Sequence, residues 1–518
     1  MRKAELSFAS GVNYSISQLI NYSMCGIVGI ISNKKVAVEI YEGLMCLQHR
    51  GQDSAGIATY NNQFHQKKGL GLVRDIFHQQ HMDNLDGNLG IGWLRYPTVG
   101  GKTTIEDTQP FVVNSPYGIA MVHNGNIFNF HQLKQELSKE NLRHINSNND
   151  VEVILNVFAH ELSRFCHRDF FDSICLAVES VYKRVKGAYS VVAVIADKGI
   201  IAFRDPNGIR PLVWGQRKTS FKIEHIFTSE NTMFRILNFE FYRNLEPGEV
   251  VFIDLNGEVK NKRIVKKEFT PCIFEYVYFA RPDAVLDDVS VYRSRLRMGQ
   301  NLAKKIKKDY PDLEIDAVIP APESSTPAAM SLAKELGVKF TLGLIKNHFI
   351  GRTFIMPGQK VRKRANEFKL SPIEFEIRDK NILVVDDSIV RGNVSRHIVK
   401  LMRSSGAKKV YFASTSPALR WPCLYGIDLP TKEEYIANNL TEAEIAKSLD
   451  ADLVIYQNLD DLVEAVVRKG DIKFKNPCAA CFCGKYPTGD INEEVLAEID
   501  SQRKTEREEI EDSGGVLF

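Results

Sequence analysis

The segment NILVVDDSIVRGNVS, residues 381–395, constrains the fold more than any other part of the 518-residue chain. An apolar strand delivers two adjacent acids, Asp386 and Asp387, and a short loop with Gly392 then opens onto a helix. Backbone amides at a helix N-terminus bind phosphate, and paired carboxylates suit ribose hydroxyls or a hydrated Mg²⁺. A strand that ends in one capping Asp would explain one acid but not the pattern. The segment therefore predicts a strand–loop–helix unit whose backbone amides could bind phosphate and whose two acids could bind hydroxyls or a hydrated Mg²⁺.

The same strand–helix alternation recurs from about residue 271 onwards. The apolar run IDAVIPAPESS leads into the helical stretch STPAAMSLAKELG, and the helix that follows residue 392 also closes at a glycine. This alternation predicts a parallel sheet in an α/β domain. Residues 25 to about 260 are different, because the strand-like runs CGIVGII, GIAMVHNG and AYSVVAVIAD dominate there with an amphipathic helix at DVEVILNVFAHEL.

Composition excludes several classes of protein. The 67 basic and 64 acidic residues give a net charge of +3, which is too small to indicate nucleic acid as the main partner. No apolar run approaches the roughly 18 residues of a transmembrane helix, and residues 1–24 lack the apolar core of a secretory signal. An odd count of nine cysteines in such a chain favours reduced thiols used in catalysis or metal binding. A cytoplasmic protein with no membrane partner is expected.

Cys25 begins an apolar strand in the sequence MCGIVGI, and on its own it would be interpreted as a core cysteine. Four further stretches suggest that Cys25 belongs to a binding site. Arg95 and Asp150 could together hold the carboxylate and ammonium groups of an amino acid by charge-assisted hydrogen bonds. An Asn-Gly pair at a strand end could form an oxyanion hole. These stretches contribute Arg50 and Gly51, Arg95 and Thr98, Asn124 and Gly125, and Asp150.

These motifs, in this order, resemble the class II glutamine amidotransferase domain, an N-terminal nucleophile (Ntn) hydrolase. The resemblance implies that Cys25, Asn124 and Gly125 are catalytic. It also implies that glutamine is bound by Arg50, Gly51, Arg95, Thr98 and Asp150.

In that family the nucleophile is the first residue of the mature chain and its own α-amino group is the general base, because such an amine titrates near ~7.7–8.0. Two interpretations of residues 1–24 stay open. They are either a propeptide removed before Cys25 or the result of a mis-assigned start, with translation beginning at Met24.

The segment around the paired acids resembles the 5-phosphoribosyl 1-pyrophosphate (PRPP) motif of type I phosphoribosyltransferases. Asn393 and Val394 depart from the hydroxyl-bearing residues that the family usually carries there. PAPESSTPAA resembles the family's pyrophosphate loop, and the basic stretch 346–364 resembles its flexible loop. The resemblance implies PRPP binding by Ser325, Lys346, Arg352, Asp386, Asp387, Ser388, Arg391, Gly392 and Ser395, with Mg²⁺ at Ser325, Asp386 and Asp387.

Together the two motifs resemble the amidophosphoribosyltransferase family from Cys25 to about residue 487. The implied fold is a two-domain α/β and α+β chain. An Ntn-hydrolase αββα sandwich occupies 25–260, a phosphoribosyltransferase α/β fold with a parallel sheet occupies 271–470, and a cysteine-containing segment with a charged tail occupies 471–518.

The implied reaction converts glutamine, PRPP and water to 5-phosphoribosylamine, glutamate and diphosphate, the first committed step of de novo purine synthesis. Purine nucleotide feedback inhibitors and a homotetramer are further implications of the resemblance. Two alternatives stay open: a glutaminase serving another acceptor, as in glucosamine-phosphate or asparagine synthesis, and a PRPP-binding regulator.

Four of the remaining cysteines have a role that the sequence does not decide. Cys478 and Cys481 form a Cys-x-x-Cys pair, which alone is compatible with a zinc, redox or cluster role. Soft thiolates suit Zn²⁺ or a [4Fe–4S] cluster. One branch of the resembled family carries such a cluster on cysteines in these contexts, which implies the cluster, with zinc or free thiols as alternatives. The implied ligands are Cys272, Cys423, Cys478 and Cys481.

Overall fold

The structure is a computed structural model that describes residues 25–95, 104–347, 370–427, 432–467, 473–499 and 501. The first half contains two antiparallel sheets. The strand order of the first sheet is β11 (Glu240–Asn244), β9 (Val213–Lys218), β10 (Ile223–Thr228), β1 (Gly26–Ile31), β4 (Leu89–Arg95), β2 (Ser54–Asn61) and β3 (Gln63–Leu70). The order of the second is β13 (Val259–Arg263), β12 (Glu249–Asp254), β8 (Gly199–Arg204), β7 (Gly187–Ile195), β6 (Ile119–Ile127) and β5 (Phe111–Val113).

The two sheets pack face to face and are covered by helices on their outer faces. Apolar side chains of β1, β4, β6 and β7 form one buried cluster between the sheets. The helices Asp150–Arg164 and Phe170–Arg184 cover the second sheet, and Ala37–Cys46 covers the first. Because both faces of the central strands are covered, β1 and β7 are buried along their whole length. This arrangement is the predicted αββα sandwich.

The first half also contains short elements at its periphery. The predicted boundary near residue 260 falls within β13, which pairs with β12 and extends the second sheet to Arg263. The short helices are Gln48–Arg50, Val73–Ile76, Gln79–Asn84 and Phe130–Lys139.

The second half is built on a parallel sheet, as the strand–helix alternation predicts. Its order is β17 (Lys339–Phe340), β16 (Ala317–Pro320), β20 (Asn381–Asp386), β21 (Lys409–Ser414) and β22 (Leu453–Tyr456). Apolar clusters lie on both faces of this sheet. Its helices are Val291–Asp309, Thr326–Leu336, Glu374–Ile377, Asn393–Ser404, Ile436–Asn439, Glu442–Leu449 and Leu459–Val466.

Smaller elements complete the second half. Two hairpins are present, β14 (Val285–Leu286) with β15 (Val289–Ser290) and β18 (Leu344–Lys346) with β19 (Leu370–Pro372). The others are a π-helical turn at Glu275–Phe279, a 3₁₀ turn at Lys432–Glu434 and a short helix at Ala480–Cys483. Among the described residues, no helix combines the length and the apolar character needed to cross a bilayer.

Candidate active sites

Cys25 lies directly before β1, partly exposed, at the edge of the apolar cluster between the two sheets. Its backbone is held by Arg50, whose Nε donates to the Cys25 carbonyl at 3.1 Å. The next strand residue, Ile27, donates its amide to the Ser229 hydroxyl at 3.1 Å. Hydrogen bonds to the backbone therefore fix the position of Cys25 at the start of β1.

The Arg50 guanidinium is buried between two carboxylates. It contacts Glu230 and forms a paired contact with Glu275, at 2.8 Å between Arg50 Nη2 and Glu275 Oε1. His49 also contacts Glu230, at 2.8 Å. Burial alone raises the pKa of Glu230, but the charges of His49 and Arg50 outweigh it and lower that pKa to about 2. These contacts are those of a residue that positions Cys25, and glutamine binding by Arg50 stays a prediction.

Asn124 and Gly125 lie on β6, next to the Ser229 hydroxyl that also binds the Ile27 amide. Asn124 Nδ2 lies 3.5 Å from Ser229 Oγ, whereas Asn124 Oδ1 is buried and has no hydrogen-bond partner among the described residues. Because the two ends of an amide side chain are interchangeable by rotation, one end of Asn124 is available to a bound molecule. Gly125 adopts φ +155°, and an added Cβ would lie 2.0 Å from the Ala188 carbonyl oxygen.

Asp150 begins the helix Asp150–Arg164 and faces the end of β6. Its carboxylate accepts from the Ile127 amide at 3.2 Å and lies 3.1 Å from His123 Nε2. His123 is buried, and Gln109 contacts its other ring nitrogen at 3.0 Å. The sequence interpretation missed His123, although it lies in the same MVHNGN motif as Asn124.

Arg95 ends β4, and its backbone packs against Gly51. A Cβ on Gly51 would lie 2.7 Å from the Arg95 carbonyl carbon, so only glycine allows this approach. Asp53 also donates its amide to the Arg95 carbonyl at 3.0 Å. The structure thus brings Gly51 and Arg95 together, while the predicted residue Thr98 lies outside the described residues.

The paired acids lie where the parallel strand β20 ends, at the edge of the sheet where α/β proteins bind ligands. Asp387 is buried, and the adjacent Asp386 is partly buried. Burial raises the pKa of Asp386 well above its usual value, and the neighbouring Asp387 charge raises it further. Burial also raises the pKa of Asp387, although the hydroxyls of Ser324 and Ser388 oppose the shift. Two ionised carboxyls in these surroundings are unfavourable unless a cation or hydroxyl donors compensate their charge. The pair therefore fits a site that a cation or hydroxyl donors complete.

The two adjacent serines of the loop after β16 have different roles. The Ser325 hydroxyl is buried and donates to the Ala321 carbonyl. The Ser324 hydroxyl, which the sequence interpretation passed over, donates to Asp387. Magnesium contact by Ser325 stays a prediction, and Ser324 joins the candidate residues.

The remaining predicted PRPP residues surround the loop between β20 and the next helix. Ser388 donates to Asp387 at 2.6 Å, and Gly392 adopts φ +76° just before the helix Asn393–Ser404, in which Ser395 is buried. Arg391 contacts Glu434 at 2.7 Å. Lys346 lies 3.6 Å from Glu323, and the predicted residue Arg352 lies outside the described residues.

The four cysteines implied as ligands are buried in one apolar cluster, although residues 272 and 481 are far apart in the sequence. Cys272 and Cys478 face each other in a short parallel bridge, and the Ile273 amide donates to the Cys478 carbonyl at 3.1 Å. Burial raises the pKa of Cys481, and the charges of Cys423, Cys272 and Cys478 raise it further. As they stand, no three His, Cys, Asp or Glu side chains among the described residues are arranged to hold a metal ion.

Known proteins resemble this chain over nearly its full length. The family described as glutamine amidotransferase domain matches residues 100–235. The amidophosphoribosyltransferase of Pseudomonas aeruginosa is 49% identical over 483 residues, which cover 93% of this chain and 96% of that protein. The Escherichia coli amidophosphoribosyltransferase is 45% identical and covers 94% of this chain and 97% of its own length. The chain belongs to the amidophosphoribosyltransferase family.

Solved structures of this family have the same fold. The B. subtilis glutamine PRPP amidotransferase, complexed with ADP and GMP, superposes with a TM-score of 0.80 at 35% identity, covering 92% of this chain and 100% of that chain. An allosteric regulatory enzyme of purine biosynthesis gives a TM-score of 0.81 at 35% identity, with 92% and 99% coverage. The predicted combination of an Ntn-hydrolase fold and a phosphoribosyltransferase fold is confirmed.

Proposed function

We propose that the chain transfers ammonia from glutamine to PRPP and forms 5-phosphoribosylamine, glutamate and diphosphate. The observation that carries this proposal is the adjacent Asp386–Asp387 pair where a parallel strand ends. The same chain has Cys25 at the start of β1, and the Ser229 hydroxyl links that strand to Asn124. Amidotransferases with another acceptor do not need the first feature, and a PRPP-binding regulator does not need the second.

In the glutaminase reaction, the Cys25 sulfur attacks the side-chain amide carbon of glutamine. A C–S bond forms, the C–N bond breaks, and the thiol proton leaves with ammonia by way of the α-amino group of Cys25. Asn124 and the Gly125 amide would bind the oxyanion, and Arg95 and Asp150 would hold the carboxylate and ammonium of glutamine. Water then hydrolyses the glutamyl thioester.

In the transferase reaction, ammonia displaces diphosphate from C1 of the ribose. Asp386 and Asp387 would accept hydrogen bonds from ribose hydroxyls, and the amides at the start of the helix Asn393–Ser404 would bind the 5′-phosphate. Mg²⁺, when bound through Asp386, Asp387 and a serine of the 324–325 pair, would neutralise the leaving diphosphate. The fit of this site to a cation rests on its two adjacent carboxyls, because burial raises the pKa of both.

The decisive experiment measures diphosphate release from PRPP with glutamine or with ammonium as nitrogen donor. We expect both donors to support turnover in the native chain and only ammonium to support it in a Cys25→Ser variant. Glutamine hydrolysis without PRPP consumption would indicate another acceptor. Turnover of neither substrate would indicate the regulator.

We propose a [4Fe–4S] cluster on Cys272, Cys423, Cys478 and Cys481. Burial of all four thiols, their mutual electrostatic influence and the buried cation Arg210 beside them support it, because thiolates need a compensating charge away from water. A cluster of four irons is wider than one ion, so its ligands stand further apart than those of a single metal. When bound, it would cross-link three distant parts of the chain.

The cluster proposal is tested by iron and sulfide content and by visible absorption of anaerobically purified protein. We expect about four irons per chain and their loss in Cys478→Ser. Cys166→Ser is the matched control, because Cys166 is an exposed cysteine. Zinc in place of iron, or no metal in the native chain, would contradict the proposal.

Three further properties are proposed from the family. Residues 1–24, outside the described residues, are absent from the active chain, and the denatured intact mass distinguishes a chain that begins at Cys25 from one that retains them.

Purine nucleotides inhibit the enzyme, as the ADP and GMP bound to the B. subtilis relative suggest. The chain assembles as a homotetramer, which sedimentation equilibrium tests directly.

A further inference from the structure

A loop from the C-terminal half packs directly against the strand that carries Asn124 and Gly125. The Asn126 side-chain amide donates to the Leu424 carbonyl at 3.0 Å. Gly426 lies against Gly125, so that a Cβ added to Gly426 would be 2.9 Å from the Gly125 carbonyl carbon and 3.1 Å from its Cα. Real Cβ atoms essentially never approach backbone atoms within 3.0 Å.

Gly125 has backbone close to it from two distant parts of the chain. The strand β7 approaches so closely that a Cβ on Gly125 would lie 2.0 Å from the Ala188 carbonyl oxygen. Gly426 lies against the Cα and the carbonyl group of Gly125. These neighbours restrict movement of the Gly125 backbone next to the amide that would serve as an oxyanion-hole donor.

The loop that carries Gly426 is itself firmly held. The Trp421 amide donates to the Cys481 carbonyl at 3.1 Å, and Tyr486 donates its hydroxyl to the Pro422 carbonyl at 2.7 Å. Tyr425 is buried, and its hydroxyl lies 2.7 Å from that of Thr488. A loop with this many fixed points can serve as a rigid support.

We infer that Gly426 is a positioning residue for glutamine hydrolysis. Together with the Leu424 carbonyl, it confines the Gly125 Cα and carbonyl group, and so keeps the preceding Gly125 amide in the orientation that stabilises the oxyanion. The absence of a side chain at Gly426 is what allows the two backbones to meet. This inference rests on the proposed function, since it assigns Gly426 a role in the same glutaminase site.

The test compares Gly426→Ala with Gly489→Ala in the full-length chain. Both glycines have positive φ, +107° and +79°, but a Cβ on Gly489 meets nothing within 4 Å. Gly489→Ala therefore controls for the introduction of an alanine at positive φ without the collision. Loss of one oxyanion donor lowers kcat roughly 10²–10³-fold. We expect at least a ~10-fold fall in glutamine-dependent kcat for Gly426→Ala, with little change in the KM for glutamine.

Ammonium-dependent turnover separates positioning from general damage. We expect it to stay within about 2-fold of the native value in both variants, because ammonium bypasses the oxyanion. Equal losses with both nitrogen donors, or a Gly426→Ala variant that matches Gly489→Ala, would overturn the inference. Failure of the native chain to release diphosphate would instead overturn the proposed function.

A second variant decides the matter if Gly426→Ala does not fold. Asn126→Asp places a carboxylate oxygen against the Leu424 carbonyl, so the hydrogen bond that joins β6 to the Gly426 loop is lost with almost no change in side-chain volume. A fall in glutamine-dependent kcat with normal ammonium turnover supports the inference. Native kinetics with both donors contradicts it.

Discussion

Glu230 illustrates how much of the first site depends on buried charge. Its carboxylate contacts Arg50 and His49 and also accepts from the Arg281 amide at 3.1 Å. The pKa of this group falls from 4.5 in the unfolded chain to about 2 in the fold. A carboxylate with a lowered pKa in the folded state stabilises the fold above pH ~4.5, and that stabilisation is lost as the pH falls towards about 2.

A Glu230→Gln variant should therefore have a flatter pH profile. Between about pH 6 and about pH 3, we expect the free energy of unfolding of the native chain to fall by ~2 kcal/mol more than that of the variant. Urea unfolding at each pH measures the difference. Glu179→Gln, at an exposed pair with Lys183, should follow the native profile. Parallel profiles for the native chain and Glu230→Gln would contradict the expectation.

Asp386 is a residue whose burial opposes stability. Its folded-state pKa is raised by burial and by Asp387, so the ionised group destabilises the folded chain above its unfolded pKa. In magnesium-free buffer near neutral pH, we expect Asp386→Asn to raise the free energy of unfolding. With magnesium present, we expect turnover of PRPP with ammonium to fall ~10²-fold or more in the same variant.

Thermal unfolding and diphosphate release measure the two effects of Asp386→Asn. Asp312→Asn, at an exposed position, should change neither. A destabilised Asp386→Asn protein would show that the acid pair contributes to the fold rather than to the site.

Two helices of equal length provide a matched comparison of capping and function. Asn149 caps the helix Asp150–Arg164 by accepting from the Val151 amide at 3.1 Å, and Asp169 caps the helix Phe170–Arg184 by accepting from Phe171 at 2.9 Å. Replacing either cap by alanine should cost ~1 kcal/mol. Only Asn149→Ala should also raise the KM for glutamine, by roughly 10-fold, because Asp150 follows it directly.

Steady-state kinetics with varied glutamine test this comparison, and ammonium-dependent turnover should be unchanged in both cap variants. An equal KM for the two variants would show that the start of the first helix does not position glutamine. A raised KM for glutamine in Asp169→Ala alone would indicate that the helix Phe170–Arg184, and not Asp150–Arg164, positions glutamine.

Strands and helices of this chain could be predicted because their signals are local. The run GIAMVHNG lies on β6, and the segment 381–395 became a strand, a loop with Gly392 and a helix, as its pattern predicts. The partners of these elements were not predictable in the same way. Ser229, which binds the Ile27 amide, is 202 residues away from it in sequence.

Within the sites, residue type was more predictable than orientation. The motifs named Asn124, Asp150 and the acid pair, but adjacent serines 324 and 325 look alike in sequence, and only the backbone turn sends one hydroxyl to Asp387. The buried pairing of Arg50 with Glu275, 225 residues apart, likewise depends on tertiary packing. The grouping of the four cysteines was implied by the family resemblance and not by their spacing.

One apolar cluster joins the two halves of the chain. It contains β1 residues such as Val28, the Cys272 segment and Phe482, whose ring lies 6.0 Å from that of Phe274. We expect Phe482→Ala to lower the free energy of unfolding by ~3–5 kcal/mol and to do so for both halves together.

Denaturant unfolding followed by tryptophan fluorescence and by circular dichroism measures this effect. Trp93 and Trp214 report on the first half, and Trp421 reports on the C-terminal loop. The control is Phe375→Ala, because Phe375 is 93% exposed and its loss should change stability by less than ~0.5 kcal/mol. Separate transitions, with only the second half destabilised by Phe482→Ala, would contradict the coupling.

The contact between Gly426 and Gly125 also has a consequence for the growing polypeptide. The nucleophile is made near the beginning of synthesis, whereas its support is made only after most of the chain has left the ribosome. A nascent or truncated chain that ends before residue 424 has Cys25 and Asn124 but not the Gly426 backbone that packs against Gly125. Such a chain would hydrolyse glutamine slowly, so most ammonia would be released by molecules that also contain the domain able to use it.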